Sequence, residues 1–251
     1  MISIRNLHKS FGTKRVLRGI DLEIADGETV AIIGQSGCGK SVLLKHIIGL
    51  MKPDDGEVLV DGVNMNLANE RQLRLARRHF GFLFQSSALF DSMTVADNIT
   101  LGLREHGERD REKLAHIVNE KLALVGLRGI AENMPAELSG GMKKRVGLAR
   151  ALASEPKYMF YDEPTTGLDP VSSDQIDNVI RDLTSKLRVT SLIVTHDMFT
   201  VERIARRVVF LHEGRVYSDR SASEFYQSND ATIQQFIERY KSPTVELRGK
   251  I

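Results

Sequence analysis

The octet Gly34-Gln35-Ser36-Gly37-Cys38-Gly39-Lys40-Ser41 fits G-x-x-x-x-G-K-[ST], and no other stretch limits the possible folds of this chain as tightly. It follows Thr29-Val30-Ala31-Ile32-Ile33, whose β-branched residues favour a buried strand. Val42-Leu43-Leu44 and Ile47-Ile48 recur afterwards at helical spacing. Strand, glycine loop and helix form the setting in which this pattern cradles phosphate. Glycines let successive N–H groups curl around phosphate oxygens, and the helix N-terminus adds positive potential. Lys40 is placed to reach the β- and γ-phosphates, and the Ser41 hydroxyl to ligand Mg²⁺. The plain alternative is a glycine turn ahead of an ordinary helix.

Composition narrows the partners. Lys+Arg 35 against Asp+Glu 33 leaves a net charge of +2 over 251 residues, so a nucleic-acid partner is not expected. The charged segment Arg71 to His79 reads as a solvated helix face. The single cysteine, Cys38, allows no intrachain disulfide and fits a reducing compartment; between the loop glycines it reads as a small filler. No apolar run approaches the ~20 residues that cross a bilayer, and Met1-Ile2-Ser3-Ile4-Arg5 is no signal peptide. A soluble chain is expected, working at a membrane only through a partner.

From Ile2 to Val60, short apolar segments broken by Phe11-Gly12, Asp26-Gly27, Pro53 and Asp55-Gly56 predict a small antiparallel sheet built around the phosphate loop. Asp21-Leu22-Glu23-Ile24 alternates as a half-buried strand does. Phe80 to Phe84 predicts a buried strand ending at Gln85. Between Gln85 and Pro156 the periodicity is helical, with Leu114, Ile117, Val118, Leu122 and Val125 on one face. Strand returns at Tyr158 to Tyr161 and Ser191 to Val194, around a helix marked by Ile176, Val179, Ile180, Leu183 and Leu187, an alternation that implies a mostly parallel sheet. Ile233, Phe236, Ile237 and Tyr240 predict an amphipathic helix from Asn229, packed on its own core and followed by a polar tail; the alternative has helix and tail clasping a neighbouring subunit.

Asp162-Glu163 ends an apolar strand, with Pro164 stopping the ladder. A strand of this kind puts its last carboxylates at the carboxyl edge of the sheet, where a phosphate loop also opens. Asp162 is then suited to hold Mg²⁺ through water, and Glu163 to orient or deprotonate an attacking water. Without the loop, an acidic turn would explain them equally well. Ser139 is a plausible N-cap for the helical run after Leu138-Ser139-Gly140-Gly141, and its hydroxyl with the following N–H groups suits an anion; a bare helix cap is the simpler account.

Taken in order, the phosphate loop, Gln85, Leu138 to Gly141, Asp162-Glu163, Gly167-Leu168-Asp169 and His196 resemble the ATP-binding cassette (ABC) ATPase along nearly the whole chain. The resemblance implies an α/β fold: a P-loop NTPase (RecA-like) core with a mostly parallel sheet, an N-terminal antiparallel β subdomain and an inserted helical subdomain. It would assign residues 1–85 and 157–228 to the nucleotide-binding core, 86–156 to the helical subdomain, and 229–251 to a C-terminal helix and tail. It also implies ATP and Mg²⁺, and two copies closing head to tail so that Ser139, Gly140 and Gly141 of one cap the γ-phosphate held by the other.

Residue by residue, the resemblance gives Phe11 the place of the aromatic that stacks on adenine, Tyr being commoner there. Gln85 takes that of the sensor of Mg²⁺ and attacking water. Asp169 matches the interface aspartate, and His196 the histidine at the γ-phosphate, although a lone histidine after a strand is usually structural. Met142 departs from the usual glutamine. Residues 83–95, 103–106 and 134–142 are more narrowly similar to the ATPase of Mla/Mce-type phospholipid transporters. That likeness implies integral membrane permeases and an Mce-domain lipid-binding protein as partners, and a peripheral place on the cytoplasmic face of the inner membrane. The alternatives are another ABC importer or exporter, a soluble cassette acting on nucleic acid or the ribosome, and a module that senses ATP without turnover. The soluble cassettes would bring a long coiled-coil insertion or a second cassette, neither of which is present; Glu163 and His196 speak against the sensor.

Overall fold

The computed structural model describes residues 1–240, so the polar tail expected over 241–251 lies outside the described residues. The chain opens on an antiparallel hairpin, β1 (Ile2–Phe11) and β2 (Lys14–Ile24), paired from Ile2 opposite Ile24 to Phe11 opposite Lys14 with register shifts after Ile4, Leu7 and Lys9. β3 (Thr29–Gly34) is buried at every position and leads into α1 (Lys40–Ile47), after which come β4 (Asp55–Val60) and the short β5 (Val63–Asn64). α2 (Glu70–Arg77) starts on a reciprocal cap: Asn69 Oδ1 accepts from Gln72 N and Gln72 Oε1 from Asn69 N, each at 2.9 Å. β6 (Phe80–Leu83) is followed by three α-helices, α3 (Val95–Glu105), α4 (Arg111–Leu124) and α5 (Gly140–Leu152), with a 3-10 turn at Pro135–Glu137 ahead of the last. Strand and helix then alternate through β7 (Tyr158–Asp162), α6 (Pro170–Leu187), β8 (Thr190–Val194), α7 (Met198–Ile204) and β9 (Arg207–His212). β10 (Arg215–Ser221), α8 (Ala222–Tyr226) and α9 (Ala231–Tyr240) complete the described chain.

The chain divides into two compact units, and β8 runs through the division. The first holds Met1–Ile24, Thr29–Asn66 and the chain from Ile193 onward. Its antiparallel sheet has the order β2-β1-β4-β5, and β10-β9-β3 form its other strand set. The antiparallel sheet reaches Val60 through β4 as expected, but the expectation needs one correction. β3, which feeds the glycine loop, lies in the other sheet, parallel to β9 from Val30 opposite Arg207 to Gly34 opposite Leu211. An unbroken apolar run such as Thr29–Gly34 is what a strand covered on both faces requires.

α9 packs on the core of this unit, as its apolar spacing predicts: Ile233, Phe236 and Ile237 are buried with Val201, Phe210 and Phe225. The Phe236 ring lies 4.8 Å from that of Phe210 and 4.7 Å from that of Tyr240. Removing a buried aromatic ring costs about 3–5 kcal/mol. Urea unfolding of Phe236→Ala should register a loss of that order, and a loss below about 1 kcal/mol would mean that α9 is not part of the core.

The second unit holds Ala25–Glu28 and Leu67–Leu192. β6 runs parallel to β7, from Phe80 opposite Tyr158 to Leu83 opposite Tyr161, and the strand order is β8-β7-β6. On α4, Leu114, Val118 and Leu122 are buried, as is Val125 just past its end. Among the described residues, no helix is long and apolar enough to cross a membrane.

Candidate functional site

Within the first unit, β3 delivers the backbone into the loop at Gly34, and the loop ends on Gly39, the N-cap of α1. Gly34 has φ +152° and Gly39 φ +110°; a Cβ on Gly34 would stand 2.4 Å from the Leu211 carbonyl oxygen and 2.7 Å from Cys38 Sγ. Neither position takes a side chain without moving its neighbours. Gln35, Ser36, Gly37 and Ser41 are exposed, whereas Gly39 and Lys40 are buried. Lys40 Nζ donates to the carbonyls of Gly34 at 2.7 Å and Gln35 at 3.2 Å, so the ammonium rests on its own loop. No side chain caps α1. An open rim of uncharged residues, a buried ammonium in the loop and a helix N-terminus with no side-chain cap fit a polyphosphate. Burial raises the Cys38 thiol pKa, with the Lys40 charge opposing, which leaves little thiolate and fits its reading as a filler.

Phe11 ends β1 and is 48% exposed, with Lys9 Nζ 5.8 Å from the centre of its ring. His196 is exposed just beyond β8, and its ring meets that of Tyr240 edge-on at 5.7 Å. Sequence spacing identified Tyr240 only as part of an apolar stripe, so its contact with the candidate histidine is new.

In the second unit, Asp162 is the last residue of β7, and Glu163 follows with φ +50°. This left-handed backbone is uncommon for a residue with a Cβ, and Pro164 restricts its predecessor further. Glu163 sits in a small turn: its carbonyl accepts from Thr166 N at 3.3 Å, and Oε2 from Thr166 Oγ1 at 3.4 Å. Gln85 is exposed just past β6. One side chain joins these two loops, and no motif had pointed to it: Lys144 Nζ donates to the Gln85 carbonyl and, at 3.3 Å, to the Glu163 carbonyl. Burial lowers the Lys144 pKa, while the charges of Glu163 and Asp162 pull it back up. Arg150, further along the same helix, donates to the Ser87 and Ala88 carbonyls at 2.8 and 2.6 Å, and both of those residues also have positive φ.

Ser139 caps α5, accepting from Met142 N at 3.3 Å, so the residue that departs from the usual glutamine serves the cap through its backbone. A Cβ on Gly140 or Gly141 would come within ordinary contact of Leu168 or Ser172, which places the turn beside the start of α6. Asp169 is the N-cap of that helix, accepting from Val171 N and Ser172 N, each at 3.0 Å, and from Ser172 Oγ at 2.6 Å. The bond from Ser172 holds the Asp169 carboxyl below the usual range. Asp followed by Pro at the first helical position is a helix-start signal that the sequence carried openly.

Residues 17–166 match the family model described as ABC transporter. The Haemophilus influenzae protein named intermembrane phospholipid transport system ATP-binding protein MlaF is 38% identical over 237 residues, covering 94% of this chain and 90% of that one. The methionine import ATP-binding protein MetN of Carboxydothermus hydrogenoformans is 42% identical over 229 residues, covering 90% and 68%. A solved structure described as a dimeric post-hydrolysis state of the ATP-binding cassette MJ0796 bound to ADP and Pi aligns with a TM-score of 0.80 at 32% identity, over 88% of this chain and 99% of that one.

Proposed function

Because the chain belongs to the ABC transporter family and is an ATP-hydrolysing cassette, we propose that it powers phospholipid transport through partner permease subunits. The observation that carries the lipid reading is the match to MlaF, which extends over 90% of that protein's length. Phe11 stacks on adenine, residues 34–41 bind the phosphates, and His196 contacts the γ-phosphate. Ser41 of the first unit and Gln85 and Asp162 of the second carry hydroxyl, amide and carboxylate donors of the kind that would hold Mg²⁺, a hard cation that would supply charge neutralisation on the phosphate oxygens. Glu163 takes the proton of the attacking water, and Gln85 orients that water. The P–O bond to the β-phosphate breaks, and ADP and phosphate leave.

Two copies close on two nucleotides, each supplying Ser139, Gly140 and Gly141 to the other's γ-phosphate, with Asp169 at the interface; the dimeric state of MJ0796 supports the pairing of two copies. The γ-phosphate gives the closed state its extra affinity, and its loss lets the dimer reopen. Residues 86–156 act as the helical arm that moves the permease, and residues 1–85 with 157–228 as the core. The protein works peripherally at the cytoplasmic face of the inner membrane, in a complex that includes an Mce-domain lipid-binding protein.

The identity to MetN supports a second reading, methionine import. The membrane complex purified through this chain should carry bound phospholipid and hydrolyse ATP at a rate indifferent to methionine. Stimulation by methionine, with no phospholipid bound, would favour import and overturn the lipid reading.

A further inference from the structure

Lys144 is the fifth residue of α5, the helix capped by Ser139, and only 4% exposed. A buried ammonium is costly unless its donors are used, and this one directs two of its three to backbone carbonyls, those of Gln85 and Glu163. A lysine serving only the fold would satisfy whichever carbonyls lay nearby. These two belong to loops at the ends of two parallel strands, β6 and β7, and both loops hold residues read above as meeting the attacking water. Glu163 also has φ +50°, a conformation that persists in a non-glycine residue when its surroundings hold it. The Lys144 bond is one such hold, and it comes from the helix whose first turn is Ser139-Gly140-Gly141.

We propose that Lys144 is a positioning residue that ties the backbones of Gln85 and Glu163 to α5, so that engagement of the Ser139 turn by a nucleotide across the dimer also sets the aim of the general base. The proposal rests on the functional reading above. It makes each chain's two half-sites, the one that caps a partner's nucleotide and the one that hydrolyses its own, move as one body through a single ammonium.

The test uses the membrane-reconstituted transporter with Lys144→Met, which keeps the apolar stem and removes the donors, and Lys144→Arg, which restores donors. Losing charged hydrogen bonds that position a catalytic group should lower kcat roughly 10- to 100-fold. ATP affinity should stay within about threefold, the Hill coefficient for ATP should fall toward one, and Lys144→Arg should recover part of kcat. A Lys144→Met transporter with kcat within about twofold of the parent overturns the proposal. So does one that loses ATP affinity in step with kcat while Lys144→Arg recovers nothing. Should Lys144→Met melt more than about ten degrees below the parent, Lys144→Gln, a shorter donor, decides in the same terms. Glu163→Gln in the same transporter separates the two levels: if it still turns over, the assignment of the base fails, whereas an inactive Glu163→Gln beside a normal Lys144→Met sinks only the tether.

Discussion

Glu163→Gln is expected to lower ATP turnover by about 10²- to 10⁴-fold while leaving ATP binding intact. Gln has the shape of Glu, so the turn that Glu163 makes with Thr166 and the bond from Lys144 to its carbonyl persist. What disappears is the basic oxygen. With Glu163 as the proposed base, the turnover lost is that of general-base catalysis, which mutations of such groups place in this range. On the proposed cycle, in which hydrolysis reopens the dimer, the variant should accumulate as a closed, ATP-loaded pair. Phosphate release gives the first readout, and size-exclusion chromatography with ATP the second. Near-normal phosphate release would remove Glu163 from the mechanism.

Lys40→Ala should act earlier, on binding. Lys40 is 8% exposed and donates to the Gly34 and Gln35 carbonyls, so its ammonium already stands inside the loop proposed to bind the phosphates. Charged hydrogen bonds of this kind contribute about 1.5–3 kcal/mol each, so losing one corresponds to about 10- to 150-fold weaker ATP binding. Losing the bond to the Gly34 carbonyl also frees the loop, and the variant should melt slightly below the parent without nucleotide. Titration with a fluorescent ATP analogue measures the affinity; a dissociation constant within twofold of the parent would show that Lys40 does not hold the phosphates.

Much of this was legible because the signals are local. The glycine loop, the run into Asp162 and the stripe through Ile233, Phe236 and Ile237 each carry their own pattern within a few residues, and each stands where that pattern places it. The neighbour of β3 was not legible: its ladder partner Arg207–His212 is far along the chain, and nothing in Thr29–Gly34 states which strand will lie beside it. Burial on both faces marks a strand as central without naming its neighbours. Lys144 was hidden for another reason. A lysine after a glycine turn reads as a solvated helix residue, and only the folded backbone brings the two carbonyls to it. Asp169 was noticed through resemblance as an interface residue, although Asp before Pro also announces its role as a helix cap.

The ring of Tyr240 against His196 decides where the C-terminus can be cut in any experiment on it. A truncation ahead of Ala231 strips a helix from the core and an aromatic neighbour from the histidine, so lost activity would say nothing about clasping a second subunit. A stop codon placed directly behind Tyr240 leaves both intact, and only a defect in that shorter deletion would belong to the tail itself.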